Sequence, residues 1–69
     1  MDEEQRRVRA DLISRLFALL TAKLEDAATI AAECQGRRAN DELRDNATKL
    51  HDLCIEVTTI TEAVAVLLG

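Results

Sequence analysis

Residues 35–40, Gln-Gly-Arg-Arg-Ala-Asn, form the break around which this chain is organised. They divide its 69 residues into two parts of similar length, and each part has the pattern of a long amphipathic helix. The chain has no proline, and its only other glycine is the last residue. A short connection of this kind suits an antiparallel helix pair. We therefore expect one domain over residues 1–69, with helix 1 at about 3–35, a turn at about 36–40 and helix 2 at about 41–68.

The residues at the helix ends indicate where each helix begins and stops. Asp2 is placed to cap helix 1, and Gln5 three residues later completes a capping box. Helix 1 should end near Gln35, with Gly36 as the C′ residue. Asn40 is a favourable N-cap for helix 2.

The apolar residues of helix 1 repeat as a heptad, with Ala10 at position a and Ile13 at position d. Leu16 and Ile30 add a g row, and Leu12 and Leu19 lie at position c. The stripe is therefore wider than the seam of a simple two-stranded coiled coil, which predicts contact with more than one helix. The alternating a and d residues are Ala10, Ile13, Phe17, Leu20, Leu24, Ala27, Ala31 and Cys34.

Helix 2 continues the same three-four spacing and has its own g row at Leu53, Ile60 and Leu67. Residues 57–61, Val-Thr-Thr-Ile-Thr, are all β-branched and are poor helix formers. No second strand candidate is available to pair with them, so helix is the favoured interpretation. The a and d residues of this stripe are Leu43, Ala47, Leu50, Cys54, Val57, Thr61, Val64 and Leu68.

Two helices about 45 Å long meet along one line and leave part of such wide stripes in water. Two hairpins packed with C2 symmetry would bring the a, d and g rows inside a four-helix bundle. The predicted fold is all-α: an antiparallel, coiled-coil-like two-helix hairpin that forms a homodimeric four-helix bundle, with parallel and antiparallel pairing of hairpins both open. The predicted core and dimer interface comprises Ile13, Leu16, Phe17, Leu20, Leu24, Ala27, Ala31, Leu43, Ala47, Leu50, Cys54, Val57, Ile60, Val64 and Leu67.

Cys34 and Cys54 are expected to be reduced thiols, because both lie in the stripe and about 18 Å separates them along an ideal hairpin. His51 and Cys54 are spaced i,i+3, but two ligands do not make a metal site. Phe17, the lone aromatic residue, is expected in the core, with an exposed recognition role as the alternative. We expect no metal and no cofactor.

Arg6, Arg7 and Arg9, with Arg15 beyond, form the basic cluster of helix 1. They could contact phosphates or an acidic partner. Acidic neighbours balance them, and the net charge of −4 argues against a general nucleic-acid binder. Arg37 and Arg38 form a smaller basic spot at the turn.

Other classes of protein fit the sequence less well. No Gly-rich loop or nucleophile constellation is present, so we expect no enzyme. No apolar run reaches the length of a membrane span, and the acidic start Met1-Asp2-Glu3-Glu4 does not resemble a signal peptide, which predicts a cytoplasmic protein without membrane contact. Arg outnumbers Lys seven to two, an association with GC-rich bacterial or phage genomes.

The stretch Leu43-x3-Ala47-x2-Leu50-x3-Cys54, with Asp45 and Asn46 inside it, resembles the Rop family of plasmid proteins. Those proteins are helical hairpins that dimerise into four-helix bundles and bind paired RNA loops. The resemblance implies the bundle. It does not extend to RNA binding, because only loosely placed arginines and Phe17 correspond to the family's RNA-contacting helix face.

We therefore expect a non-enzymatic interaction module, acting as a regulator, inhibitor or adaptor that binds itself and another protein. A Rop-like RNA-binding dimer and a structural component of a phage or secretion apparatus are the alternatives.

Overall fold

The structure, a computed structural model, describes residues 2–36 and 38–69 and consists of two α-helices. α1 spans Glu3–Glu33 and α2 spans Asn40–Leu68. The helices pack against each other as a hairpin with principal extents of 56 × 15 × 11 Å. The predicted all-helical hairpin is confirmed.

The start of α1 is held by the predicted side-chain cap. Asp2 Oδ1 accepts a hydrogen bond from the backbone N–H of Gln5 at 2.8 Å. This bond satisfies one of the helix's free amide donors. Glu3 and Glu4 occupy the first turn, where negative charge is favourable.

The end of α1 differs from the expected glycine cap. The last helical residue is Glu33, and the N–H of Cys34 is shared between the carbonyl oxygens of Ile30 and Ala31, 3.2 Å from each. Arg38 Nε donates to the carbonyl oxygen of Glu33 at 3.2 Å. These bonds satisfy terminal carbonyl groups without a left-handed residue, and Gly36 does not adopt a positive φ. Its predicted role as C′ residue is wrong.

The N-cap of α2 is also displaced from its predicted position. Ala39 is the cap, its carbonyl oxygen accepts from the N–H of Leu43 at 3.0 Å, and Asn40 lies within the helix. The assignment of Asn40 as the cap is therefore wrong by one residue. Arg38, which also bonds to the end of α1, pairs with Glu42. Its Nη1 lies 3.8 Å from Glu42 Oε2, and the pair links the turn to the start of α2. The prediction that Arg37 lies in the turn falls outside the described residues.

The β-branched residues 57–61 are helical, as predicted. The hydroxyl groups of Thr58, Thr59 and Thr61 donate to carbonyl oxygens four residues earlier, at 2.9–3.0 Å. Val57 and Ile60 lie partly buried in the contact with α1. Tertiary packing therefore outweighs the weak helix propensity of this stretch.

The hairpin closes along the d and g rows. Leu20 and Val64 are its most buried residues, at 6% and 5% exposure. Half-buried neighbours continue the seam every three or four residues, which is the spacing of one helix face. The whole seam is Arg9, Ile13, Leu16, Leu20, Lys23, Ala27 and Ile30 of α1 with its C-cap Cys34, and Leu43, Asn46, Leu50, Leu53, Val57, Ile60, Val64 and Leu67 of α2.

Candidate self-association surface

The a rows of the two helices lie outside this seam. They form a surface that we call the a-face, and all of its residues are exposed in the hairpin. Its members are Ala10, Phe17, Leu24 and Ala31 of α1, and Ala47, Cys54, Thr61 and Leu68 of α2.

The a-face exposes large apolar side chains, and their contact with water is unfavourable. Phe17 is 51% exposed, Leu24 is 54% exposed and Leu68 is 64% exposed. The neighbouring e positions of α1 from Ser14 to Ala28 are small and uncharged, as are Thr58 and Ala65 on α2. The charged or titratable members of the e row on α2 are Arg44 and His51. A second helix could approach such a surface closely without burying many charges.

Helix geometry determines which rows share a side of the hairpin. Successive residues are about 100° apart around an α-helix, so the a and c rows flank the d and g seam on opposite sides. Because the two helices run antiparallel, both a rows lie on one broad side and both c rows lie on the other. The second broad side is called the c-face.

The c-face is charged in the half nearer the turn, whereas Leu12 and Leu19, each 43% exposed, make its open-end half apolar. Lys23, which lies in the seam, reaches Glu56 on this side, and Lys23 Nζ lies 3.0 Å from Glu56 Oε2. Asp26, Lys49 and Glu56 line a shallow groove over Ile30. Charges held at a solvated surface cost little, so the turn half of the c-face needs no cover.

The predicted interface residues divide between the seam and the a-face. Ten lie in the seam: Ile13, Leu16, Leu20, Ala27, Leu43, Leu50, Val57, Ile60, Val64 and Leu67. The other five are exposed on the a-face: Phe17, Leu24, Ala31, Ala47 and Cys54. Within one hairpin Phe17 is therefore not in the core, and its burial would require a second molecule.

Both cysteines have free thiols. Cys34 is half-buried at the turn end of the seam, whereas Cys54 is exposed on the a-face. His51 lies one turn before Cys54. Across residues 2–36 and 38–69, no group of three or more His, Cys, Asp or Glu side chains is arranged to hold a metal ion.

The four arginines near the start of α1 do not form one basic face. Arg6 and Arg7 are about 100° apart around the helix, and Arg15 lies about 180° from Arg6. Arg9 is half-buried in the seam, and the other three are exposed. The arginines are therefore distributed around the helix instead of aligned for one phosphate backbone.

A second apolar surface, which the sequence patterns did not single out, lies at the open end of the hairpin. Val8 and Leu12 of α1 and Leu67 of α2 line a groove, and its polar lining residues are Asp2, Glu4, Gln5 and Arg9. Val8 is 62% exposed and Leu12 is 43% exposed. We call this groove, on the c-face side, the open-end groove. In the sequence, Leu12 at position c is the feature that could have indicated this groove.

The chain matches no protein-family model, no curated protein and no solved structure. In the part of the chain that the structure describes, neither helix combines the length and apolarity required to cross a membrane.

Proposed function

We propose that the chain is a small, non-enzymatic protein-interaction module that works as a homodimeric four-helix bundle. The observation that carries the proposal is the a-face, a continuous surface of exposed apolar and small side chains on one broad side of the hairpin. A second copy of the chain offers a surface of the same chemistry and length.

The exposed area supports a dimer. The hairpin exposes 5409 Å², whereas a compact protein of 7.6 kDa exposes about 4,300 Å². Its radius of gyration is 16.4 Å, against about 11 Å for a compact chain of this length. A compact dimer would expose about 7,100 Å² and would therefore bury about 3,700 Å² in total. That area lies in the range of obligate homodimers, about 2,000–5,000 Å².

Dimerisation through the a-face leaves the open-end groove free for another protein. Val8, Leu12 and Leu67 provide its apolar lining, and its charged residues, Asp2, Glu4 and Arg9, leave it with an excess of negative charge. A short amphipathic helix with basic residues beside its apolar face complements both features. As a regulator, inhibitor or adaptor, the dimer would present one such groove on each copy.

The first test is the solution mass under reducing conditions, measured by light scattering over a wide range of protein concentration. A mass of about twice 7.6 kDa throughout the range supports the proposal. A monomer at all concentrations overturns it. Oligomers that keep growing with concentration would favour an open structural assembly instead.

The partner site has its own test. Val8→Ser with Leu12→Ser should leave the mass unchanged and should reduce binding of a purified partner, first identified by capture from cells of the source organism. Ile55→Ser is the matched control, because Ile55 is 52% exposed on α2 away from the groove. Equal loss of binding in both variants would contradict the assignment of the groove.

An RNA-binding dimer is less favoured because the arginines are spread around α1. Replacing Arg6, Arg7 and Arg15 by Gln would separate the two functions. Strong RNA retention by the wild-type protein, lost in this variant while the dimer persists, would favour RNA binding over protein binding.

A further inference from the structure

We propose that each c-face binds one helix of a partner protein along its whole length. The flanks of this helix are apolar over the open-end half of the c-face and carry lysine or arginine over the turn half. The inference rests on the proposed interaction module and defines the chemistry of its partner. It extends the partner site from the open-end groove along the whole side of the hairpin.

A mostly apolar floor runs along the c-face, formed by the g rows of the two helices. Two helices packed about 8–10 Å apart leave a trough above such rows, and a third helix can lie in it. The floor therefore gives an apolar stripe of a partner helix contacts in both halves. Its half-buried apolar members are Leu16, Ile60 and Leu67 in the open-end half, and Ile30 and Leu53 in the turn half.

The trough suits a helix better than an extended segment. The backbone groups of α1 and α2 bond within their own helices, apart from those at the helix ends. An extended segment would therefore find no backbone partner in the trough, and its own amide and carbonyl groups would be left unsatisfied wherever water is excluded. A helix satisfies its own backbone and can bury one side.

The walls of the open-end half are apolar. They come from the c rows and from the f rows, which lie beside the c rows on the side away from the seam. Among the described residues of these rows, Arg15 is the one charged side chain in this half, and it offsets the excess negative charge of the open-end groove. The large apolar side chains exposed here are Val8, Leu12, Leu19 and Val66, of which Val66 is the most exposed, at 80%.

The walls of the turn half are acidic. Among the described residues, six carboxylates lie on this side against three cations, which are Lys23, Arg38 and Lys49. Lys23 and Arg38 are already paired within the hairpin. The c and f rows contain no large apolar residue in this half. The six carboxylates are Asp26, Glu33, Glu42, Asp45, Asp52 and Glu56.

The two halves together define the partner helix. Asp26 and Asp52 line the groove above Ile30 and Leu53, one from each helix of the hairpin, and neither pairs with a described cation. A basic side chain on either flank of a helix in this groove would meet one of these carboxylates. Over the open-end half, the same helix needs apolar flanks to cover Leu12 and Leu19. A second c-face carries the same acidic half and cannot neutralise it.

The number of sites follows from the position of the c-face. The a-face and the c-face lie on opposite broad sides of the hairpin, so a dimer that buries both a-faces points both c-faces outward. This holds for parallel and for antiparallel pairing. The dimer would therefore bind two partner helices, one on each side. From Val8 to Glu33 the c-face is about 38 Å long, the length of about 25 helical residues.

A synthetic peptide of about 25 residues tests the chemistry of the partner. It carries leucine along one face throughout, with flanking positions of alanine and leucine in one half and lysine in the other half. A control peptide has the same composition, but its lysines are spread evenly over both halves. Binding to the wild-type dimer is measured by fluorescence anisotropy. The segregated peptide should bind at least about 10-fold more tightly than the control peptide, with one peptide per chain, and equal affinities overturn the proposal.

Paired substitutions locate the basic half of the peptide. Asp26→Asn with Asp52→Asn should weaken binding of the segregated peptide about 5-fold or more at low salt, and the difference should shrink at high salt. The matched control is Glu25→Gln with Glu62→Gln, which removes the same charge from the b rows, on the sides that point away from the seam. Equal weakening by both pairs would show a general charge attraction and would overturn the assigned site.

A nitroxide label on the peptide tests the orientation. A label at its lysine-rich end should broaden the amide signals of Thr29 and Lys49, whereas a label at its apolar end should broaden those of Leu12 and Val66. The reverse pattern, or equal broadening at both ends, overturns the proposal.

The results distinguish this inference from the proposed function. If Val8→Ser with Leu12→Ser weakens binding but the Asp26/Asp52 pair does not, the open-end groove stands and the extension along the c-face fails. A monomeric mass of the wild-type chain defeats the proposed function itself.

Discussion

Lys23 Nζ and Glu56 Oε2 lie 3.0 Å apart and join the two helices across the c-face. Lys23 occupies a g position in a seam that is otherwise mostly apolar, so its aliphatic stem lies along the seam while its ammonium group reaches the surface. The pair also shows that these two positions lie at about the same height along the hairpin.

The Lys23–Glu56 pair should contribute little to stability. The two side chains are 30% and 50% exposed, and exposed pairs contribute about 0.2–1 kcal/mol. A double-mutant cycle with Lys23→Ala and Glu56→Ala, measured by urea unfolding, should give a coupling free energy below about 1 kcal/mol that decreases at high salt. A coupling of several kcal/mol would show that the pair is buried in the working protein.

Leu24→Glu should weaken the dimer, because it places an unpaired carboxylate in the proposed interface. We expect the dissociation constant to rise at least about 100-fold, measured by sedimentation equilibrium. Leu19→Glu is the control: Leu19 has similar exposure, 43% against 54%, but lies on the c-face. If both substitutions dissociate the dimer equally, the a-face is not the interface.

Leu20→Ala should destabilise the fold substantially. Leu20 is 6% exposed at the centre of the seam, and truncating a buried leucine costs about 2–5 kcal/mol. Leu19→Ala, at the neighbouring exposed position, should cost less than about 1 kcal/mol. Both values can be measured by urea unfolding at one fixed protein concentration. Similar losses for the two variants would contradict the d and g seam.

Asp2→Ala should destabilise the start of α1 by about 1 kcal/mol, because it removes the side-chain acceptor of the Gln5 amide. Asp2→Asn should retain most of the stability, since its side-chain oxygen can still accept this bond. Amide hydrogen exchange in the first turn of α1 would locate the effect. Unchanged exchange at Gln5 in the alanine variant would show that the cap is not formed in solution.

Much of the fold could be predicted from residue pattern alone. Residues spaced alternately three and four positions apart lie on one face of an α-helix. This spacing of the apolar residues therefore predicts two helices. Gly36 and its neighbours predict the break, and Asp2 predicts the first cap. The cap of α2 could not be placed to the residue, since it depends on Arg38 bonding to Glu33 and pairing with Glu42.

The sequence by itself determined that three apolar rows, a, d and g, run along each helix. Only the tertiary structure decided that d and g close the hairpin and that a stays outside. A heptad stripe of this width permits either choice, because a small rotation of each helix exchanges one row for another. The a row has three large apolar side chains, Phe17, Leu24 and Leu68, among smaller residues. The g row has five, which are Leu16, Ile30, Leu53, Ile60 and Leu67. Rotation toward the g row buries more apolar volume.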